Sequence, residues 1–119
     1  MDLNHRQLKE KDSIKHDLVD VTAMAKSAGI EMKTVMTRAA WKSAVDVAHH
    51  NVLNRSIANQ LWDVMVLLFL AIESKHTKYD SIDTHFHVAV LLNGISTEIA
   101  LKAETQEANG EILLMVNVI

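Results

Sequence analysis

The chain has 119 residues, of which 49% are hydrophobic and 23% are charged, with no cysteine and no proline. About two-thirds of the unfolded surface should disappear on folding, which is enough for one hydrophobic core. The lack of cysteine excludes a disulfide framework and a thiolate metal site. The N-terminus has no apolar signal core, and the longest uncharged apolar run, Val64 to Ile72, is too short to span a bilayer. We therefore expect a cytoplasmic protein without a membrane partner.

Charge is unevenly distributed between the two halves of the chain. Residues 1–59 carry nine Lys or Arg against seven acids (+2), whereas residues 60–119 carry three against eight (−5). Proteins that bind nucleic acid gather basic charge on one face. A nucleic-acid-binding accessory protein is therefore an alternative function, on the condition that an oligomer brings the basic residues of the N-terminal half together on one surface. Residues 1–17 are expected to form a polar, frayed N-terminal segment, followed by a single domain over 18–119.

The first predicted element of the domain is a short helix that ends at a glycine. The stretch TAMAKSA precedes Gly29, with Asp20 or Thr22 as the cap at its start. Ile30 stands where a Schellman end places an apolar residue. The alternation of residues 30–36 then predicts a short strand.

Two longer helices are predicted next. Thr37 can cap a helix over 38–51, whose apolar residues recur at helical spacing. A third helix is predicted from about Ser56 to Ser74, and its apolar character runs all the way round, which favours burial on most sides. Asp63 interrupts it and would need a partner if it were buried. Two basic residues of the preceding helix could supply that partner, Arg38 and Lys42.

Two Asn-Gly pairs near the C-terminus each separate two β-like runs, at Asn93-Gly94 and Asn109-Gly110. Asn-Gly is the strongest short signal for a β-hairpin. Two-residue turns at both sites give the middle strand the same inward face. The predicted pairs include Val88 with Ile99 and Ala103 with Val116. The sequence therefore predicts an α+β fold: a three-stranded antiparallel β-meander at the C-terminus, packed against about three helices.

The outward face of this predicted meander is apolar along its last strand. It could be covered by residues 30–36, by the N-terminal segment or by a second molecule. We also expect a homodimer, because any side of the apolar third helix left exposed would favour self-association. The candidate interaction surface consists of Leu91, Leu113, Met115 and Ile119.

Two sets of histidines are candidates for metal chemistry. His85 and His87 would point from one sheet face with Glu98 as a diagonal neighbour, the basis for an alternative function as a small metal-dependent enzyme. The helical histidines His49 and His50, with Asp46, form a weaker set, because adjacent histidines point in different directions. Neither set supplies a full ligand sphere, and a nucleophile elbow and a Gly-rich phosphate loop are both lacking. The sequence therefore predicts no catalytic residue, no metal and no cofactor.

Several segments of the chain form a recognisable series: LVDVTAMAKSAGI (18–30), VMTRAAW (35–41), LWDVMVLLFLA (61–71) and the C-terminal VLLNG, IALKAE and EILLMVNVI. In this order they resemble an uncharacterised family of small bacterial proteins carried by plasmids and phages. Residues 75–86 depart from that pattern, and no residue role carries over. The resemblance implies an accessory protein of a mobile genetic element that binds a host or element-encoded protein. Inhibitors of host defence complexes, such as anti-CRISPR proteins, fit that description by analogy. The expected function is therefore a non-enzymatic protein-interaction module.

Overall fold

A computed structural model describes residues 18–46, 56–75 and 81–119 apart from Asn93. Within these ranges the chain forms five strands and three helices, which we number in chain order. They are β1 (Leu18–Asp20), α1 (Thr22–Ala28), β2 (Thr34–Thr37), α2 (Arg38–Ala44), α3 (Ile57–Lys75), β3 (Asp83–Leu92), β4 (Ile95–Ala108) and β5 (Glu111–Val118). The predicted frayed segment 1–17 lies outside the described residues.

The strands form one mixed sheet in the order β1-β2-β5-β4-β3. The predicted three-stranded antiparallel meander is therefore wrong as a description of the sheet. β3, β4 and β5 pair antiparallel, but β2 lies parallel to β5, and β1 pairs antiparallel with β2 at the far edge. The physical reason is that the outer edge of β5 would otherwise leave unpaired main-chain groups, which β2 satisfies. Residues 34–37 thus extend the sheet and do not cover the face that points away from the helices.

The two hairpins within this sheet have the predicted registers. Ala108 pairs with Glu111 across a two-residue turn in which Asn109 has φ 55° and Gly110 has φ 77°. Positive φ at both central residues defines the type I′ turn that matches the twist of the flanking strands. The pairs Val88–Ile99 and Ala103–Val116 are present.

The end of α1 is a Schellman motif, as the sequence predicts. Gly29 has φ 108°, and its N–H donates to the Lys26 carbonyl at 3.0 Å. The N–H of Ile30 donates to the Ala25 carbonyl at 2.9 Å, and the Ile30 side chain is fully buried. The predicted strand over 30–36 begins only at Thr34, because its first residues complete this turn.

A threonine joins α2 to the sheet. Thr37 Oγ1 accepts a hydrogen bond from the Ala40 N–H at 3.1 Å and donates to Asn117 Oδ1 at 2.8 Å. The capping bond is the one that the sequence predicts. The α-helix ends at Ala44, so it is shorter than the predicted 38–51.

The third helix, α3, packs against β3 and α1 but is not buried on all sides. Its buried residues are Gln60, Leu61, Val64, Met65, Leu68 and Ile72. On its other side Trp62, Leu67 and Leu70 are 40%, 37% and 55% exposed. The helix is long and apolar enough to cross a membrane by length and composition, a test that core helices of soluble proteins also pass.

Candidate interaction groove on the open sheet face

The three helices within the described ranges lie on one face of the sheet. The hydrophobic core joins residues of all three helices to inward side chains of the strands, such as Met36, Leu101 and Val116. Successive residues of a strand point to opposite faces, so Val35 and Leu113 lie on the other face, outside this core cluster. No helix within the described ranges packs on that face, which we call the open face.

A groove of about 630 Å³ lies on the open face where β1, β2 and the β4–β5 hairpin meet. Its floor consists of three apolar side chains, Val35, Leu113 and Met115. The register brings them together, because β2 places Val35 beside Met115. Leu113 and Val35 are 7% and 4% exposed, whereas Met115 is half-buried, so Met115 offers the accessible part of the floor.

The rim of the groove is acidic. Asp20 lies on one side and Glu111 on the other, while Lys33 is the basic lining residue. Glu107 also lines the groove, but it pairs with Ile112, so its side chain belongs to the covered face. Two carboxylates against one ammonium give the open-face side chains of this lining a net charge of −1. The groove therefore attracts basic partners at its rim and apolar partners at its floor.

Asp20 is held as a carboxylate. The Thr22 hydroxyl and backbone N–H donate to Asp20 Oδ1 at 2.6 and 3.0 Å, and these hydrogen bonds lower the pKa of the Asp20 carboxyl, with a smaller contribution from Lys33. Because the bonds stabilise the ionised form, Asp20 remains negative at neutral pH. A group so held is suited to charge attraction and not to proton transfer, which needs a pKa near the working pH.

The four residues of the predicted interaction surface do not form one patch. Leu113 and Met115 are on the groove floor, Ile119 is 68% exposed just beyond β5, and Leu91 is half-buried near the end of β3. Leu91 lies level with Ser96 and Leu113 level with Gln106 along β4. At about 3.3 Å per residue, the two leucines are roughly 33 Å apart along the strand direction.

The histidine pair is on the open face, away from the groove. His85 and His87 are exposed, and Glu98 is a diagonal neighbour of His87, as predicted. Lys102 lies directly opposite His85, where its positive charge opposes a cation. Within the described ranges, no three His, Asp or Glu side chains are grouped to hold a metal ion. His49 and His50 lie outside the described residues.

A buried glutamine in α3 is the polar residue that sequence reasoning missed. Gln60 is 3% exposed, and its Nε2 donates to the Ala44 carbonyl at 2.9 Å and to the Ala89 carbonyl at 3.3 Å. It joins the end of α2 to β3, a contact that depends on packing and leaves no mark in local sequence. Asp63 is half-buried, so the full burial that would force a basic partner does not occur.

The geometry defines an α+β domain with a mixed sheet, helices on one face and an acidic-rimmed apolar groove on the other. Comparisons of the chain with protein-family models, curated proteins and solved structures gave no match. The resemblance to a family of plasmid- and phage-borne proteins therefore stays a prediction.

Proposed function

We propose that this protein is a non-enzymatic protein-interaction module that binds a segment of a partner protein in the open-face groove. The observation that carries the proposal is the groove itself, about 630 Å³ with an apolar floor and an acidic rim. Recognition sites of this kind obtain affinity from buried apolar contact and specificity from a few placed polar groups.

The chemistry of the groove specifies the partner. Met115 provides apolar surface for one or two aliphatic or aromatic side chains. Glu111 on one wall and Asp20 on the other favour Lys or Arg beside those side chains. The expected partner segment is therefore an apolar residue flanked by basic residues.

The resemblance extends this proposal to a biological setting. The module would act in the cytoplasm as a mobile-element accessory protein, and its partner would be a host or element-encoded protein, including a host defence complex such as CRISPR. An interference assay tests that extension. A cell expressing the wild-type protein should lose CRISPR interference against a targeted plasmid, and a cell expressing the groove variant Met115→Glu should keep it.

A direct test uses random peptides displayed on phage and selected on the immobilised full chain. We expect enrichment of sequences in which an apolar residue is flanked by Lys or Arg. An enriched peptide should bind the purified wild-type protein at least about tenfold more tightly than the Met115→Glu variant, which places a charge on the apolar floor. Glu111→Lys should also weaken binding, and added salt should reduce the difference between that variant and the wild type.

Met115→Leu is the matched control, because it keeps the floor apolar and similar in volume. Binding to this variant should equal wild-type binding. Enriched peptides that are acidic, or that bind Met115→Glu as well as wild type, would contradict the proposal.

A further inference from the structure

The outermost strand β3 has neither the short length nor the residue types that usually protect the edge of a sheet, and α3 contacts it through Gln60 at the Ala89 carbonyl. Natural edge strands are short, bulged, or carry Lys or Pro. β1 at the other edge has three residues, whereas β3 has ten in unbroken register with β4. The sequence of β3, DTHFHVAVLL, contains no Lys, Arg, Pro or Gly, and its one acid is the first residue. Among the described strands β3 pairs with β4 alone.

The main-chain groups that face outward from β3 belong to odd-numbered residues. The Thr105 N–H donates to the Ile82 carbonyl at 3.0 Å, so Ile82 and each second residue after it point their N–H and C=O toward β4. The Ala89 carbonyl accordingly points the other way and accepts from Gln60 Nε2. His85 and His87 are exposed and, like Ala89, odd-numbered. Their N–H and C=O groups therefore point away from β4, toward the outer edge of β3.

An exposed leucine of α3 flanks this edge. Gln60 contacts the Ala89 carbonyl, so its side of α3 faces the edge. Leu67 lies two helical turns after Gln60 on that side and is 37% exposed. A chain that paired with β3 would therefore also meet apolar surface on α3.

We propose that a second copy of this chain pairs antiparallel with β3 about a two-fold axis at Phe86, which continues the sheet across the dimer. An antiparallel strand is its own partner under two-fold symmetry, which closes the interface. His85 then lies opposite the partner's His87, and each such pair exchanges two main-chain hydrogen bonds. In this register Ala89 lies opposite the partner's Asp83, and its carbonyl has a second lone pair for the N–H of that residue beside the one that accepts from Gln60 Nε2.

The helices complete the interface. A stable dimer buries about 800 Å² on each partner, more than one strand edge provides. Because α3 flanks the edge, the two α3 helices meet over the seam, and Leu67 loses its exposed surface there. The proposal thus assigns the dimer to two features together, the free strand edge and the apolar side of α3.

The test measures mass by sedimentation equilibrium over a range of protein concentrations. His87→Pro removes one outward N–H and leaves the β4 ladder intact, because proline is accepted at an edge where its nitrogen faces away from the sheet. His87→Thr is the matched control that keeps the N–H. Wild type and His87→Thr should sediment at twice the 13.3 kDa of one chain, and His87→Pro should dimerise at least about tenfold more weakly.

A second pair of variants tests the helix without touching the strand. Leu67→Gln should weaken the dimer, whereas Ile112→Gln, which removes an exposed apolar side chain from β5, should not. A monomeric wild type, or a Leu67→Gln protein that dimerises as well as Ile112→Gln, would overturn the proposal even if His87→Pro failed to fold. Because Met115→Glu should leave the dimer unchanged, failure of the groove proposal is distinguishable from failure of this one.

Discussion

Two buried threonines of the sheet differ in whether the side-chain hydroxyl makes a hydrogen bond. Thr84 is 2% exposed on the covered face of β3, and among the described side chains its Oγ1 is the buried polar atom without a hydrogen-bond partner. Thr34 is as buried, but its Oγ1 donates to the Met32 carbonyl at 3.0 Å. A buried hydroxyl without a partner costs about 1–3 kcal/mol. The Thr34 hydroxyl therefore stabilises the folded protein, whereas the Thr84 hydroxyl destabilises it.

Replacing each threonine by valine should separate these contributions. Thr84→Val keeps the shape and removes the unpaired hydroxyl, so the free energy of unfolding should rise by about 1 kcal/mol. Thr34→Val removes a made hydrogen bond and should lower it by about 1 kcal/mol. Urea unfolding measures both values, and the slope of the unfolding free energy against urea concentration should stay as in the wild type. A shift of both proteins in the same direction would contradict the assignment.

At the scale of elements, a glycine determines how closely α1 approaches α3. Gly29 has φ 108°, and a Cβ placed there would lie 2.9 Å from Phe69 Cε1 of α3. Gly110 has φ 77°, but a Cβ there meets nothing within 4 Å. Gly29 is thus required by both its backbone conformation and the neighbouring ring, whereas Gly110 is required by conformation alone.

Alanine substitutions should reveal that difference. We expect Gly29→Ala to lower the free energy of unfolding by about 2–3 kcal/mol and Gly110→Ala by about 1 kcal/mol. Combining Gly29→Ala with Phe69→Leu should cost less than the sum of the two single changes, because the smaller side chain relieves the contact. Urea unfolding of the four proteins gives the coupling energy. Strict additivity would exclude the steric contribution.

The elements fixed by local chemistry are those that the sequence predicts. Gly29 ends α1, Thr37 caps α2, and Asn109-Gly110 sets the last hairpin, each through contacts within a few residues. The strand β2 differs, because Thr34 pairs with Leu114, a residue near the other end of the chain. Periodicity indicates that such a strand exists but not which partner it takes, so the sheet was predicted with three strands.

The groove also contains residues that the sequence could assign to it and residues that it could not. Leu113 and Met115 could be assigned to the open face because alternation along β5 follows from the hairpin register. Val35 and Asp20 could not be assigned to the groove, since they reach it only through the placement of β1 and β2. The acidic rim was therefore absent from the prediction.

At the scale of the whole molecule, the sheet combines near and distant pairings. β3, β4 and β5 are joined by two-residue turns, whereas the Thr37–Asn117 hydrogen bond that joins the start of α2 to β5 spans 80 positions. Closing a long loop costs more conformational entropy than closing a hairpin. We infer that the hairpins form early and that β2 joins β5 late in folding.

Substitutions in β2 and in β3 should change different rates, those of unfolding and of refolding. Met36 in β2 and Val88 in β3 are 0% and 1% exposed, so truncating either to alanine removes buried contacts. Met36→Ala should mainly speed unfolding, and Val88→Ala should mainly slow refolding. Stopped-flow kinetics in urea measure both rates. Refolding slowed as much by Met36→Ala as by Val88→Ala would contradict late docking of β2.

The position of β5 between β2 and β4 has a consequence for biosynthesis. Ribosomes release a polypeptide from its N-terminus onward, so the segment that becomes β2 emerges well before its neighbour β5 has been translated. Until that neighbour appears, Val35 and Met36 can pair with β1 alone, and the other edge of β2 has no strand beside it. The nascent polypeptide is therefore exposed to chaperones and proteases until translation of β5 allows the sheet to close.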